Sequence, residues 1–318
     1  MSNFLSVILS PFGLIYLCLT GVRNWLYNQN ILKSTEFDIP IICVGNLSVG
    51  GSGKTPMVEY LIKHFADNYN IAVLSRGYGR KTTGFKWVEP DSLAIDVGDE
   101  PLQIKTKYAA TKVAVCAKRV DGVIGILAKH PNVDLILLDD AYQHRAIKAS
   151  IYLLLTTYAK PFFKDWIMPI GLLRERRNGA QRADAIIFTK CPKEHQKKDW
   201  NDKPIFYSSI KYSMPEVEGK VFGFSGLADN SIFKKKLKET YKLSGFKEFS
   251  DHYKFNKDDL ETMKTLAQNA TLICSEKDWT KIKNIEGSRG IEHVTIENKI
   301  EGATNFEEWL NTKLKNES

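Results

Sequence analysis

The chain has 318 residues, of which 43% are hydrophobic, and its formal net charge is +8. This composition excludes a disordered chain, and the length predicts two domains with buried cores. The positive charge favours anionic partners such as phosphorylated ligands or acidic lipid surfaces, but the basic residues are dispersed and no nucleic-acid-binding motif is present. We therefore predict no nucleic-acid partner.

The cysteines indicate the redox compartment. There are five, and they lie far apart, mostly within apolar runs such as residues 113–116. Neither a disulfide framework nor a zinc site has this spacing. The main body of the chain is predicted to be reduced and cytosolic.

The N-terminal residues 4–22 carry no charged side chain, but Pro11 and Gly13 interrupt them, and Arg23 and Trp25 follow. This pattern is typical of a membrane-associating helix. A signal peptide is not predicted, because no basic region precedes the apolar run and no small-residue cleavage site follows it. An interfacial or re-entrant anchor is the favoured interpretation; a membrane span and a helix packed on the protein's own core stay open.

A glycine-rich loop follows the first predicted strand, residues 39–44, and precedes a helical pattern at residues 57–65. Strand, loop and helix in this order let backbone N–H groups surround a phosphate at the positive end of the helix. In such a loop Lys54 contacts the β- and γ-phosphates, and the Thr55 hydroxyl contacts Mg²⁺. Ser48 stands where the motif usually has glycine. The predicted nucleotide-binding residues are Ser48, Val49, Gly50, Gly51, Ser52, Gly53, Lys54 and Thr55.

Apolar runs typical of buried strands recur after this loop, with helical patterns such as residues 102–108 and 120–129 between them. The runs are residues 71–75, 113–115, 135–138, 151–155 and 185–188. Continuous apolar strands that alternate with helices predict a parallel sheet covered on both faces. The predicted fold class is α/β, with a P-loop NTPase-like, doubly wound, mostly parallel sheet.

Polar, proline-containing sequence from Pro192 to Pro215 separates this region from further strand patterns at residues 221–224, 271–274 and 291–296. Domain boundaries usually fall in such segments. We predict a membrane-associating helix at residues 1–28, a P-loop domain at residues 29–212 and a smaller C-terminal α/β domain at residues 213–318.

Two carboxylates end a predicted buried strand, since residues 135–138 run directly into Asp139 and Asp140. Ligands of open α/β sheets bind at the carboxyl ends of the strands. An Asp-Asp pair at this position is often only a turn or a helix cap. In combination with the glycine loop, Asp139 is predicted to contact the same Mg²⁺ as Thr55.

The sequence Gly98-Asp99-Glu100-Pro101 has two interpretations. Acidic residues before a proline stabilise the start of a helix. Alternatively, this segment provides a general base or a carboxylate near the metal, since an Asp can accept the proton of a substrate hydroxyl during phosphoryl transfer. The residue pattern leaves both interpretations open.

Asp251 and His252 lie outside any predicted helix or strand. Such a pair can polarise another carboxylate or move a proton, but an isolated exposed histidine usually has no catalytic role. Arg119 and Arg174 lie in predicted loops, where most arginines are solvated. Near a phosphate loop, however, a guanidinium suits neutralising phosphate charge or holding a phosphorylated substrate.

Two other classes of P-loop protein are disfavoured. The guanine-reading element of GTPases, [NT]-K-x-D, has its nearest match at residues 189–192, where Pro192 replaces the aspartate. Partition-type ATPases carry a lysine where this chain has Val49. Neither a GTPase nor a dimeric switch of that kind is predicted.

Seven motifs occur in order along nearly the whole chain, at residues 45–56, 75–80, 98–101, 139–144, 169–175, 251–255 and 275–278. Together they resemble the tetraacyldisaccharide 4'-kinase family, the lipid A 4'-kinases of Gram-negative bacteria. An ordered series of this kind is more specific than any single motif. The family commonly has Ser or Thr at the position of Ser48, which accounts for that departure.

The resemblance implies transfer of the γ-phosphate of ATP to the 4'-hydroxyl of a tetraacyldisaccharide 1-phosphate, which forms lipid IVA. It implies ATP as co-substrate, Mg²⁺ as cofactor, and a peripheral or monotopic position at the cytoplasmic face of the inner membrane. The expected partners are this glycolipid and the membrane surface, and no stable protein partner is predicted.

The resemblance also assigns roles to residues by position. Asp99 with His252 would handle the proton, and Lys54 would act with them on the nucleotide. The metal region would comprise Thr55, Asp139, Asp140 and Glu100. The residues implied to line the substrate side are Asn46, Tyr78, Arg119, Gln143, His144 and Arg174.

An alternative from a different class stays open: a membrane-tethered P-loop NTPase switch or chaperone that acts on a protein partner. It predicts nucleotide-dependent partner binding and ATP hydrolysis that added lipid does not redirect into a phosphorylated product.

Overall fold

The structure, a computed structural model, describes residues 3–317. Residues 1, 2 and 318, which belong to the predicted N-terminal helix and C-terminal domain, lie outside the described residues. The strands are β1 (Ile41–Asn46), β2 (Ile71–Ser75), β3 (Lys86–Trp87), β4 (Lys112–Val115), β5 (Leu135–Asp139), β6 (Ile151–Thr157), β7 (Ala185–Thr189), β8 (Ile205–Ser213), β9 (Lys220–Ser225), β10 (Lys242–Glu248), β11 (Thr271–Ser275) and β12 (Glu292–Ile300). The helices are α1 (Asn3–Asn28), α2 (Lys54–Phe65), α3 (Ala94–Val97), α4 (Asp99–Lys107), α5 (Arg119–Lys129), α6 (Ser231–Thr240), α7 (Lys257–Ala267), α8 (Glu276–Ile282) and α9 (Ala303–Glu317), with short 3₁₀ helices at Phe162–Lys164 and Arg177–Arg182.

The described strands form one twelve-stranded sheet in the order β10-β9-β11-β12-β8-β7-β6-β1-β5-β2-β4-β3. Neighbouring strands are parallel except at two places, where β3 pairs with β4 and β8 pairs with β12. The predicted α/β class with a mostly parallel sheet is confirmed. The central strand β1 lies between β5 and β6, and its Val44 is in register with Asp139 of β5.

Both faces of the central sheet are covered, as the uninterrupted apolar strands predict. Along β1, Ile42 and Val44 point into the core beneath α2, whereas Ile41 and Cys43 point into the core beneath α5. All four side chains are at most 1% exposed. Because β1 is anchored on both faces, the loop that leaves its C-terminal end starts from a rigid position.

The segment interpreted from sequence as a polar connection, residues 192–215, contains strand β8, and in this respect the prediction was wrong. Strand β8 pairs in parallel with β7 through Ile186 and Ile205, and antiparallel with β12 along residues 208–213. The central strands β1, β2, β5 and β7 are buried along their whole length, whereas β8 has mostly partly buried or exposed side chains without regular alternation. Neither a continuous apolar run nor a period-2 pattern therefore marks β8 in the sequence. The strands β3 and β10 were also missed.

Strand β12 connects the two parts of the sheet. Its first residues, 292–294, pair with β11, and its later residues, 295–300, pair with β8. The helix α9 that follows contributes Phe306, Leu310 and Leu314 to the same core as α2. The chain therefore returns to the P-loop core at its C-terminal end, and the division at residue 212 stays a prediction.

The N-terminal helix α1 contacts the rest of the protein through polar groups. The Tyr16 hydroxyl donates to the carbonyl oxygen of Arg174 (2.9 Å), and Asn24 Nδ2 donates to Glu175 Oε2 (2.7 Å). Arg145 Nη1 donates to the carbonyl oxygen of Asn24 (2.8 Å). No helix among residues 3–317 combines the length and the apolar character needed to cross a membrane. Membrane association of α1 stays a prediction.

Candidate functional site

The glycine loop lies at the C-terminal edge of the sheet. It leaves β1 at Asn46 and enters α2 at Lys54. Gly50 and Gly53 have φ angles of 111° and 81°, a backbone conformation that residues with a Cβ rarely adopt. The first turn of a helix presents N–H groups that have no partner within the helix. Loop and helix start therefore form a cradle suited to phosphate.

Neighbouring segments hold this loop in shape. Arg174 N donates to the carbonyl oxygen of Leu47 (2.7 Å), and Val49 N donates to that of Leu172 (2.8 Å). On the other side, the Thr189 hydroxyl donates to the carbonyl oxygen of Ser52 (2.8 Å). The loop is thus supported by the ends of two other parts of the chain before any ligand binds.

Two cations converge on one carboxylate beside the loop. Lys54 Nζ lies 3.7 Å from Asp140 Oδ1, and Arg174 Nη2 lies 2.9 Å from the same oxygen. Burial opposes ionisation of Asp140, but the charges of Lys54 and Arg174 outweigh it and hold the pKa of this carboxyl below its ordinary value. Arg174 also donates to Asn46 Oδ1. The carboxylate therefore orients the two cations next to the phosphate cradle.

Asp139 is the most buried of the predicted metal residues, with 2% of its surface exposed. Ser75 donates its hydroxyl to Asp139 Oδ2 (3.1 Å), whereas the buried Oδ1 has no hydrogen-bond partner. Burial raises the pKa of Asp139 to about 7, and the charges of Glu100 and Asp140 act in the same direction. An unpartnered buried carboxylate oxygen fits a cation, which would compensate this clustering of negative charge.

Among residues 3–317, no three acidic, histidine or cysteine side chains gather closely enough to hold a metal ion by themselves. The predicted metal residues therefore do not form a closed protein cage. Mg²⁺ in nucleotide sites normally needs none, since it uses one or two carboxylates together with phosphate oxygens and water. An open Mg²⁺ site at Asp139 and the Thr55 hydroxyl stays a prediction.

The structure pairs Asp99 with His252, which are 153 positions apart in the chain. His252 Nδ1 lies 2.9 Å from Asp99 Oδ2. Asp99 is the first residue of α4, and His252 lies in a loop of the C-terminal part with a φ of 57°. The ring of Tyr78 lies 5.7 Å from the imidazole, centroid to centroid. The predicted pair and Tyr78 thus form one group.

This group adjoins the P-loop group. The loop after β2 touches the start of α4, because a Cβ on Gly98 would lie 3.0 Å from the Cα of Gly77. Glu100, next to Asp99, is near enough to raise the pKa of Asp139. The structure therefore gathers the predicted proton-handling and nucleotide residues at one edge of the sheet.

The remaining predicted residues lie around the same edge. Arg119 is 2% exposed and donates to the carbonyl oxygens of Cys116 (2.7 Å) and Asp139 (3.2 Å). Gln143 Nε2 donates to the carbonyl oxygen of Asn46 (2.8 Å). Burial, followed by the charges of Arg119 and Arg76, lowers the pKa of His144 to about 4. In this arrangement Arg119 supports the strand ends, and its predicted substrate contact stays a prediction.

Sequence reasoning missed several polar residues around His252. Lys277 Nζ lies 2.9 Å from Asp251 Oδ1 and 3.5 Å from His252 Nε2, and Lys281 Nζ lies 3.9 Å from Asp99 Oδ2. The motif at residues 275–278 was part of the resemblance, but no role was assigned to it. The proximity of Lys277 and Lys281 to the Asp99–His252 pair depends on how α8 docks against the rest of the protein, which local sequence does not reveal.

A strand, a phosphate loop and a helix, with an Asp–His pair beside them, define a P-loop phosphotransferase. The family model for tetraacyldisaccharide-1-P 4'-kinase matches residues 5–315 of the chain. The chain is 40% identical over 303 residues to the tetraacyldisaccharide 4'-kinase of Flavobacterium johnsoniae, covering 89% of each chain. It is 38% identical over 323 residues to that of Cytophaga hutchinsonii, covering 92% of this chain and 91% of the relative.

A solved structure agrees with these matches. The crystal structure of LpxK from Aquifex aeolicus in complex with ATP superimposes with a TM-score of 0.84 and 30% sequence identity, covering 98% of this chain and 99% of that one. The chain belongs to the tetraacyldisaccharide-1-P 4'-kinase family, and it is a kinase.

Proposed function

We propose that this chain transfers the γ-phosphate of ATP to the 4'-hydroxyl of tetraacyldisaccharide 1-phosphate and so forms lipid IVA in lipid A biosynthesis. The observation that carries the proposal is the Asp99–His252 pair, held at 2.9 Å at the same edge of the sheet as the glycine loop. A pair of this kind suits a hydroxyl acceptor, which must lose a proton. Family membership over nearly the whole chain supports the acceptor.

The P-loop group would bind the nucleotide. Backbone N–H groups of residues 50–55 would surround the β-phosphate, and Lys54 would contact the β- and γ-phosphates. Arg174 would turn from Asp140 towards the transferring phosphoryl group or the phosphorylated sugar, since its forked guanidinium matches phosphate oxygens. The contacts of Lys54 and Arg174 with Asp140 keep both cations near this position in the free protein.

Asp99 would act as the general base. The oxygen of the 4'-hydroxyl forms a bond to the γ-phosphorus, the bond between that phosphorus and the β–γ bridging oxygen breaks, and ADP leaves. The hydroxyl proton passes to Asp99. His252 would orient this carboxylate through Nδ1 and compensate its charge when the imidazole is protonated.

Asp139 and the Thr55 hydroxyl are the residues that would hold Mg²⁺. When bound, Mg²⁺ neutralises negative charge on the β- and γ-phosphate oxygens. The buried, unpartnered Asp139 Oδ1 supports this assignment. Asp140 and Glu100 would contribute from further out, through charge.

The chain would work at the cytoplasmic face of the inner membrane, with α1 lying on the surface. Six large apolar side chains of α1 are between 54% and 66% exposed: Phe12, Leu14, Ile15, Leu19, Val22 and Trp25. The opposite side of the helix is fastened by Tyr16 and Asn24. An exposed apolar strip on a helix that is attached by its polar side suits an interfacial position.

Vesicle flotation tests this position. Ile15→Asp should lower the partition coefficient onto phosphatidylglycerol-containing vesicles at least about tenfold, because one buried isoleucine contributes roughly 1.5–3 kcal/mol. The matched control is Ile232→Asp in α6, whose side chain is 46% exposed and lies outside α1. Equal binding by both variants would contradict the interfacial helix.

A transfer assay tests the activity. The purified protein is incubated with γ-labelled ATP, Mg²⁺ and tetraacyldisaccharide 1-phosphate in mixed micelles. We expect label in the lipid product at the 4'-position. Phosphate release without labelled lipid would instead favour the NTPase switch or chaperone.

A further inference from the structure

Lys281 is a buried cation whose role the activity above does not yet include. It lies in α8, and its side chain is 6% exposed. Nζ lies 2.9 Å from Asp278 Oδ1 on the same helix and 3.9 Å from Asp99 Oδ2 on α4. It also donates to the carbonyl oxygen of Tyr253 (3.2 Å). One ammonium group thus contacts three separate parts of the chain.

Asp278 fixes the ammonium from below. Its side chain is fully buried, and its Oδ2 accepts hydrogen bonds from Gly226 N (2.9 Å) and the Ser275 hydroxyl (2.6 Å). These hydrogen bonds fix the position of the Asp278 carboxylate. Because a buried charge is costly unless it is paired, Lys281 is held where Asp278 and the carbonyl oxygen of Tyr253 place it.

The contact with Tyr253 bears directly on His252, the preceding residue. His252 has a φ of 57°, and its imidazole reaches Asp99 from this loop. Lys281 thereby holds the loop that carries His252 and, through charge, the carboxylate that His252 contacts. Among the described residues, Lys281 therefore contacts both the loop backbone at Tyr253 and the Asp99 carboxylate.

We propose that Lys281 is a positioning residue for phosphoryl transfer, which fixes the Asp99 carboxylate and the His252 loop relative to each other across α4 and α8. The inference rests on the proposed function, since it gives Asp99 the role of base. Among the described residues, Lys281 contacts Asp99, Asp278 and Tyr253 rather than the nucleotide cradle. Its loss should therefore change turnover rather than ATP binding.

The chain offers a matched control two residues further on. Lys283, the residue directly after α8, also connects this helix to α4, because its Nζ donates to Thr106 Oγ1 (2.9 Å) and to the carbonyl oxygen of Pro90 (3.3 Å). These partners are not part of the proposed site. A purely structural role in docking α8 would be shared by Lys283, whereas positioning of Asp99 belongs to Lys281.

The experiment compares kcat, KM for ATP and melting temperature of Lys281→Met, Lys281→Arg and Lys283→Met with the wild type, in the micelle assay. We expect Lys281→Met to lower kcat about 100-fold with KM for ATP within about twofold, since misplacement of a reacting group by about 1 Å costs this much. Lys281→Arg should recover at least a tenth of the lost activity. Lys283→Met should keep kcat within about threefold, whatever its melting temperature.

Two results would overturn the inference: a Lys281→Met kcat within threefold of the wild type, or equal loss of kcat in Lys281→Met and Lys283→Met. If Lys281→Met does not fold, kcat is compared between Lys281→Arg and Lys281→Gln, provided that these two variants have similar melting temperatures. Equal kcat values would then contradict the positioning role of Lys281. Absence of labelled lipid with the wild type would overturn the proposed function itself.

Discussion

Replacement of Asp99 by asparagine isolates the proton-accepting role of this carboxylate. The amide keeps the size of the side chain and an oxygen that can accept a hydrogen bond from His252 Nδ1. In the unsubstituted protein, His252 Nδ1 lies 2.9 Å from Asp99 Oδ2. Lys281, 3.9 Å from Asp99, keeps Asp278 as a closer partner at 2.9 Å. Because the hydrogen bond is kept but loses its charge, the free energy of unfolding should fall by no more than about 2 kcal/mol.

Turnover should change far more. General-base catalysis typically contributes 10²–10⁴-fold, so we expect kcat of Asp99→Asn to fall by that factor, or about 3–5 kcal/mol in activation free energy. ATP affinity should stay within about twofold, because among the described residues Asp99 pairs with His252 and Lys281, whereas Lys54 of the nucleotide cradle pairs with Asp140.

Initial rates of label transfer at saturating ATP give kcat, and isothermal titration gives ATP affinity. The matched control is Asp96→Asn, whose carboxylate is 38% exposed and pairs with Lys86 at 3.7 Å outside the proposed site. It should retain wild-type kcat. A kcat for Asp99→Asn within threefold of the wild type would refute the assignment of Asp99 as base, and a matching loss of ATP affinity would refute its separation from the nucleotide cradle.

Two further predictions concern stability. A Cβ at Gly45 would lie 2.6 Å from Tyr142 Cβ, so Gly45→Ala should lower the free energy of unfolding by about 1–3 kcal/mol in denaturant titrations. The control Gly21→Ala should leave it unchanged, because the nearest atom to a Cβ at Gly21 is 3.9 Å away. Equal stability of the two variants would contradict the close approach at Gly45. Burial lowers the pKa of His144 from 6.5 to about 4, so the unfolded chain binds the proton at a higher pH than the folded chain. The free energy of unfolding should therefore decline as pH falls from about 6.5 to 4, by at most about 3 kcal/mol. The His144→Gln variant should show a shallower decline. An unchanged pH dependence in His144→Gln would argue against a buried neutral imidazole.

Local patterns predicted the elements whose burial is complete. Residues 71–75 were predicted as a strand and form β2 with the same bounds. The glycine loop was predicted between a strand and a helix and lies between β1 and α2, although α2 begins at Lys54 and the predicted helix began at residue 57. Strand β8 was missed for the opposite reason: it has partly exposed side chains on both faces, and its pairing with β12 is set by residues about 85 positions further along.

The candidate site also contains residues that local sequence could assign and residues that it could not. Lys54 and Thr55 could be assigned from spacing, since loop and helix are one continuous segment. Asp99 and His252 could only be connected through the family resemblance, because 153 positions separate them and each alone has an ordinary structural interpretation. Lys281 had no signal of its own in the sequence.

The sequence by itself determined the fold class and the phosphate loop, because apolar periodicity and glycine spacing act over a few neighbouring residues. Only the tertiary structure decided which distant side chains meet there. Docking of α8 and the His252 loop against α4 brings Lys281 and His252 to Asp99. That docking depends on how strands β11 and β12 join the rest of the sheet, which is a property of the whole chain rather than of any segment.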